Sequence, residues 1–547
     1  MKVIFVKKTK FEISFLILIL SGIISTSILL EYESNMSEVY FNATNEDLLF
    51  PKFSYFNNSA STIFINGSDT RPGAPNWAWA ENEDWCTKID NVYYIENLTI
   101  NGNDISSCIK IINSDVNLII RNCTILNSSK GNDAEFTGGI ELFNVNNSQI
   151  LNNDISNNNG YGISISSEIP KLQNNNTISN NKISNNSISG VLLSYCEQSN
   201  ITENNILRNG NGIKVLGSKN ITIASNNASY NENDINHKPE NGVGIYVYNS
   251  YNITIINNNA TSNLYDGIYL QGVIEDTFIS GNKMIGCGLK LEYNTLSNAL
   301  TNNVDNTNTV NSKTLYCKEN EIGLTEADFT DPGQIILIDC SDSIISEIDV
   351  NSSSIGISLL FCSNISIIKG IFSNNNRFGI YLMGSYDNIV VNNSITYNLQ
   401  SGILLKNSYS NQIIGNNVFN NDQIGVAIDI NSDWNDIYSN CFGGNNLCNA
   451  VDNGTNNEWD NGVKGNFWDD YTGIDANNNN IGDSAYSING TALSRDNYPL
   501  IYCGAEPIPG PSNQPGGFIF GYNLVIYLGM ISLISVIVMR KWQLNSK

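Results

Sequence analysis

Apolar and polar positions alternate along this chain in short bursts, and the bursts repeat. A four-residue phrase, Gly, apolar, any residue, apolar, appears as GIEL at Gly139, GISI at Gly162, GVLL at Gly190 and GIKV at Gly212. It continues as GIYV at Gly244, GIYL at Gly267 and GLKL at Gly288, then as GISL at Gly356, GIYL at Gly379, GILL at Gly402 and GVAI at Gly425. Most steps are 21 to 23 residues, while those into Gly190 and Gly244 are 28 and 32, which predicts loops bulging from a coil. The gap of 68 from Gly288 to Gly356 holds three periods, with QIILI at Gln334 on the beat and TLYC at Thr314 close to it. The regular coil is therefore expected to run through that gap in a degenerate form. A second phrase, NITI-like and followed by an Asn pair, falls between the first, as at Asn220 and Asn252.

Each period thus carries short alternating strands separated by Asn and Gly turns, and alternation buries every second side chain. A strand of three to five residues must stack on its equivalent in the next coil, which is the logic of a solenoid. A β-propeller blade needs about 40 to 50 residues, and leucine-rich repeats need a phrase absent here. The expected fold is all-β: a right-handed parallel β-helix of three-sided coils of about 22 to 23 residues. N- and C-terminal caps and terminal hydrophobic helices complete it. The expected organisation is a signal peptide or anchor (1–30), an N-terminal region and cap (31–91) and coils (92–440). A C-terminal cap (441–503), a Pro/Gly stalk (504–517), a membrane helix (518–539) and a short tail (540–547) follow.

The ends supply the last of these expectations. Lys2, Lys7, Lys8 and Lys10 precede an apolar run from Phe11 to Leu30, the pattern of a secretory signal or signal anchor. Phe518 to Met539 is long enough to span a bilayer, and Arg540 and Lys541 place the end that follows in the cytoplasm. Residues 31 to 517 are then outside the cell, where the roughly twenty N-x-S/T sequons, Asn200, Asn220, Asn252 and Asn364 among them, are potential glycosylation acceptors. Lys plus Arg is 28 against 52 Asp plus Glu, a formal charge of −24. That excludes most nucleic-acid binding and argues against polyanionic glycans unless a cation bridges. The eleven cysteines form no CxxC pair; Cys340 and Cys362 lie one repeat apart and Cys441 and Cys448 are close, with connectivity open.

Three segments carry a resemblance to a known family: Tyr93 to Ile125, Asn306 to Ser346, and GNFWDDYTGIDANNNNIGD from Gly465 with its continuation to Leu500. They resemble the parallel β-helix repeats of carbohydrate-binding and sugar-hydrolase proteins, most closely the NosD-like branch common among archaeal surface proteins. The resemblance covers roughly residues 90 to 500 and implies the fold more firmly than the activity. The NosD name implies a copper-associated role in maturing nitrous oxide reductase. One histidine, His237, and six methionines without a run argue against copper here.

Enzymes on this fold carry motifs that this chain lacks, among them G-H-G and D-P-H-D. The acids Asp266, Asp429, Asp469 and Asp470 are not paired by any pattern, and Arg208, Lys214 and Lys290 have no clear acidic partner on one face. The third residue of the first phrase should face solvent, and it is Tyr at Tyr246, Tyr269 and Tyr381, which makes these the candidates for stacking on sugar rings. Asp475, Asn477, Asn479, Ile481 (through its carbonyl) and Asp483 occupy positions one, three, five, seven and nine of a calcium-loop pattern. Asn480 stands at the glycine position and Tyr486 where a bidentate Glu belongs, so Asp469 or Asp470 would complete the site. The tryptophans of Asn76 to Trp85, and Trp459, Phe467, Trp468 and Tyr471, are suited to covering the two open ends. These readings converge on a membrane-anchored extracellular protein of recognition, adhesion or envelope structure, contacting a glycan or a surface protein. The alternatives are a polysaccharide lyase or hydrolase and a NosD-like maturation factor.

Overall fold

Short strands stack in register, coil upon coil, in a computed structural model that describes residues 57–58, 62–129, 136–168, 172–232 and 241–504. The apolar terminal runs, the stalk, the tail and His237 lie outside the described residues. Within them, no helix is long and apolar enough to cross a membrane. The fold is a parallel β-solenoid, as the repeat predicts.

The first run of coils has three stacks. One holds the Gly-apolar-x-apolar strands, from Ile63–Asn66 to Leu289–Tyr293. A second runs from Val92–Glu96 to Asn303–Val304, and a third from Thr99–Asn101 to Thr309–Val310. Alternation sends one isoleucine per strand inward. Ile120, Ile150, Ile178, Ile201, Ile223, Ile255 and Ile279 stand in register on seven successive coils, all buried. The repeat glycine is required by crowding: a Cβ on Gly402 would lie 2.7 Å from the carbonyl oxygen of Gly425 in the next coil.

The Asn pairs have a division of labour. The first member takes the left-handed conformation that Asn tolerates, as at Asn152 (φ 55°), Asn180 (φ 57°) and Asn257 (φ 55°). Glu203, Ser225 and Gly281 take the same conformation on other coils, and in each case the Asn that follows turns inward and joins a buried ladder. Asn153, Asn181, Asn204, Asn226, Asn258 and Asn282 each donate from Nδ2 to the Oδ1 of the next, ending at Asn308, at 2.9–3.0 Å. The same Oδ1 also accepts the backbone N–H of the preceding Asn, and the other Nδ2 hydrogen reaches a strand carbonyl, as Asn226 does to Ile201 at 2.8 Å. Every donor and acceptor of the amide is therefore used.

The coil does not run unbroken through the long gap. Asn311 and Ser312 both adopt positive φ (52° and 64°), the geometry of a two-residue hairpin turn whose twist matches its strands. They reverse the chain, so Lys313–Glu319 pairs antiparallel with Thr309–Val310 and parallel with Pro332–Ile338. Both expected beats are strands, but the Gly-apolar-x-apolar strands of the second run extend the third stack of the first. That second run continues from Ile355–Leu360 to Cys448–Asp452, flanked by stacks of five and six strands.

At the N-terminal end Asn76 caps the short helix Trp77–Ala80, and the buried Trp77 lies 4.4 Å from the Tyr93 ring. At the other end Trp459 and Trp468 are buried, with Tyr486 stacked on Trp468 at 4.3 Å. Cys441 bonds to Cys503 and not to the nearby Cys448, tying the segment after the last coil back to a strand. Cys340 and Cys362 remain thiols.

Replacing Asn226 by Ala strands the donors of Asn204 and is expected to lower stability by about 3 kcal/mol. Its half-buried neighbour Asn227, bonded to Asn205, Ser229 and Asn259, should lose less, about 1 kcal/mol. Urea unfolding of both variants checks this; equal effects would remove the ladder's stabilising role.

Candidate functional site

The largest cluster of buried charge lies where the two runs meet. Asp266 precedes the repeat glycine Gly267, and Arg377 precedes Phe378 and Gly379, so both belong to the turn that enters a core strand. The guanidinium of Arg377 donates to Asp266 Oδ2 through Nε at 2.7 Å and Nη2 at 2.5 Å, with both side chains essentially inaccessible (1% and 0%). Neighbouring turns add polar stitches. Gln334 pairs with the backbone of Leu289 in both directions, and Asn376 donates to the carbonyls of Tyr265 and Gly286.

Beside this pair, Lys290 and Glu292 point to the same face because they are two apart on one strand. Glu292 accepts from Lys290 at 2.9 Å, Lys406 at 2.5 Å and the hydroxyl of Tyr269 at 2.7 Å. Burial opposes ionisation of Glu292, but Lys290 and Lys406 outweigh it and hold the carboxyl well below its ordinary range. Burial, with Arg377 nearby, pushes the Lys290 ammonium down to about 8 despite Glu292. Lys290 thus has the acidic partner that the repeat did not reveal.

Tyr246 and Tyr269 are in register on successive coils, with ring centroids 5.2 Å apart, as their spacing predicts. Their expected exposure is overturned. Tyr246, Tyr269 and Tyr381 are 5%, 1% and 1% exposed. The hydroxyl of Tyr246 donates to Gln271 and that of Tyr269 to Glu292. For Tyr269 the reason is the hairpin reversal, through which the second run places Arg377 over its ring and Lys406 against Glu292, while Tyr246 packs against Val243 and Tyr269. These rings lack the open face that stacking on a sugar needs.

Of the four acids only Asp469 and Asp470 converge, on a single amide. Asp266 is held by Arg377. Asp429 accepts its neighbour's backbone N–H at Ile430. Asp469 and Asp470 both accept from Asn449, which accepts from Asn445, the last member of the ladder Asn375, Asn398, Asn421, Asn445. They therefore end a run of amide donors. Asp452 ends another, accepting from Asn457 at 2.8 Å and from the indole of Trp459 at 3.0 Å. Asp496 accepts from the indole of Trp468 and the backbone of Asn466, yet burial outweighs these bonds and raises its carboxyl to about 6.

The loop Asp475 to Asp483 closes on itself. Asp475 accepts from the backbone of Asn479 (3.1 Å) and Asn480 (2.9 Å), Asn477 from Asn479 (3.0 Å), Asn479 from Ile481 (2.9 Å) and Asp483 from Ala476 (2.7 Å). Asn480 has φ 67° and so makes the turn expected of a glycine. These hard oxygens suit calcium in kind, but with Asp469 and Asp470 engaged elsewhere they fall short of its usual six to eight ligands. Copper fits less well. Among the described residues no three His, Cys, Asp or Glu side chains gather as a metal group, and Met284 and Met383 are buried in the core.

One surface feature escaped the sequence reading. Tyr386 and Tyr409, 37% and 46% exposed, stack with centroids 5.1 Å apart and planes within 3°. Their separation of 23 residues is one coil, which was a usable signal.

Residues 291–473 match the family described as periplasmic copper-binding protein (NosD), and residues 54–228 match the right-handed beta helix region. These two segments carry a likeness to NosD-like right-handed β-helix proteins. No curated protein matches it. Among solved structures it is similar to the A-module of the mannuronan C-5 epimerase AlgE4 from Azotobacter vinelandii (13% identity, 62% of this chain and 90% of that one, TM-score 0.28). It is also similar to the DFA-IIIase of Arthrobacter chlorophenolicus A6 in complex with GF2 (11%, 64% and 93%, TM-score 0.31) and to pectate lyase Pel9A (12%, 45% and 80%, TM-score 0.25).

Arg377→Met strands a buried carboxylate and is expected to cost about 3–5 kcal/mol, whereas Asp266→Leu with Arg377→Met should recover most of that loss. Denaturation midpoints of the single and double variants decide it: equal losses would mean that packing, not charge, holds the junction.

Proposed function

We propose that the chain is a membrane-anchored β-helix protein displayed outside the cell. It acts without catalysis in surface recognition, adhesion or envelope structure, and it contacts carbohydrate. The observation that carries the non-catalytic reading is that each of the four candidate acids is engaged by groups of the fold itself. Asp266 is locked in a buried ion pair, Asp469 and Asp470 terminate an amide ladder, and Asp429 turns to its own backbone. Glycoside hydrolysis needs two carboxyl groups facing one bond. Membrane attachment and an extracellular setting are supported by the apolar runs Phe11–Leu30 and Phe518–Met539, their basic flanks and the many sequons. The charge of −24 directs the carbohydrate contact toward neutral glycans.

A polysaccharide lyase or hydrolase is the second reading, favoured by the exposed carboxylates of Asp469 and Asp470, which meet at the amide of Asn449. On a glycan array the full chain is expected to bind without turnover. Cleavage or epimerisation abolished by changing one Asp or Lys290 would replace the first reading with the second.

Calcium belongs to the same proposal. Asp475, Asn477, Asn479, the Ile481 carbonyl and Asp483 would hold it, and it would neutralise two carboxylates and stiffen the loop after the last coil. Saturating calcium is expected to raise the melting temperature by about 2 °C or more relative to chelator. Identical melting curves would leave Asp475 to Asp483 as a turn alone.

A further inference from the structure

We propose that the corner of the second run centred on Tyr386 and Tyr409 is a binding site for a neutral, hydroxyl-rich glycan chain, an inference that rests on the carbohydrate contact proposed above. Both tyrosines lie in turns between a Gly-apolar-x-apolar strand and the next stack, and they pair across successive coils. The register then carries the strip onward. Gln412 faces outward three residues after Tyr409 and pairs with Asp436 of the next coil, which in turn pairs with Glu458. Trp434, 63% exposed, stands two residues before Asp436. Four coils contribute, so the strip is roughly 15 Å long at the usual strand spacing, a length suited to an oligosaccharide and not to a single sugar.

Its side chains are uncommitted and adjoin one another along the strip. Elsewhere on the surface, outward polar groups bond from coil to coil, as Asn364 does to Asp342 and Asn446 to Asp422. Tyr471 likewise bonds to Ser484. The polar side-chain atoms of Tyr386, Tyr409, Gln412, Trp434, Asp436 and Glu458 have no intramolecular hydrogen bond among the described residues. Aromatic faces accept the apolar face of a sugar ring, while an amide and two carboxylates offer acceptors and donors to its hydroxyls. Asp436 and Glu458 are adjacent like charges, and burial together with Glu458 raises the Asp436 carboxyl. A polyuronate would add to that repulsion; a neutral chain would not.

The test compares the full chain with Tyr386→Ala/Tyr409→Ala and with Glu458→Gln on arrays of neutral glycans and polyuronates, with melting curves recorded alongside. The wild type should bind neutral glycans in preference to polyuronates. The double tyrosine variant should bind about tenfold more weakly or worse at unchanged melting temperature, and Glu458→Gln should weaken binding less. Wild-type binding that survives the tyrosine substitutions would overturn this site and leave the carbohydrate reading standing. No glycan binding by the wild type would overturn both, and a preference for polyuronates would overturn the ligand class.

Discussion

The hydrogen bonding of each coil to the next is the constraint on which this molecule depends. Among the described residues no strand exceeds eight residues and most have three to six, too few to persist alone. Stacking satisfies the backbone, but the turns between strands would leave polar groups facing an apolar interior. The buried Asn ladders remove that conflict by using all four hydrogen-bonding capacities of each amide on adjacent coils. The isoleucine rows can then close around the axis with the ladder amides satisfied, and the outer faces are free to vary.

That freedom explains how the junction arises. A single hairpin at Asn311 and Ser312 lets the second run extend a different stack, and charged side chains on outer positions become interior ones. Burying Arg377, Asp266, Lys290 and Glu292 is tolerable only because each charge meets its opposite at hydrogen-bonding distance. The same closure takes the Gly-apolar-x-apolar face out of use at the junction, so any ligand must be read by the other surfaces.

The fold was legible because its signal is periodic: glycine, isoleucine and Asn recur on every coil, and each repetition reinforces the same assignment. The calcium-like loop was legible in its spacing, and Asn480 does take the left-handed turn. What was not legible was non-periodic. Nothing in TLYC marks a strand running backwards, and Arg377 has the look of a stray surface cation until Asp266, 111 residues away, is brought to it. Tyr246, Tyr269 and Tyr381 were placed on the correct face, but whether that face meets water depends on a packing that the repeat does not encode. Tyr386 and Tyr409 lie in turns, outside the phrase that drew attention to the strands. Asp469 and Asp470 resembled catalytic or metal-binding acids because a ladder terminator and an active-site pair share the same side chains.

The ladders also have a sense. Every amide donates toward the later coil, so each series begins with an acceptor and ends with a donor. In the first run the backbone N–H of Cys123 fills the Asn153 oxygen and the series ends at Asn308, whose Nδ2 reaches the Ile279 carbonyl; the second-run series end at Asp452, Asp469 and Asp470. The two ends of a ladder are chemically different fittings, while a regular coil within one run presents the same fittings as its neighbours. Duplication or loss of an internal coil by unequal exchange in the gene would leave both fittings matched. The height of the solenoid is thus open to inheritance in unit steps, whereas its ends are not.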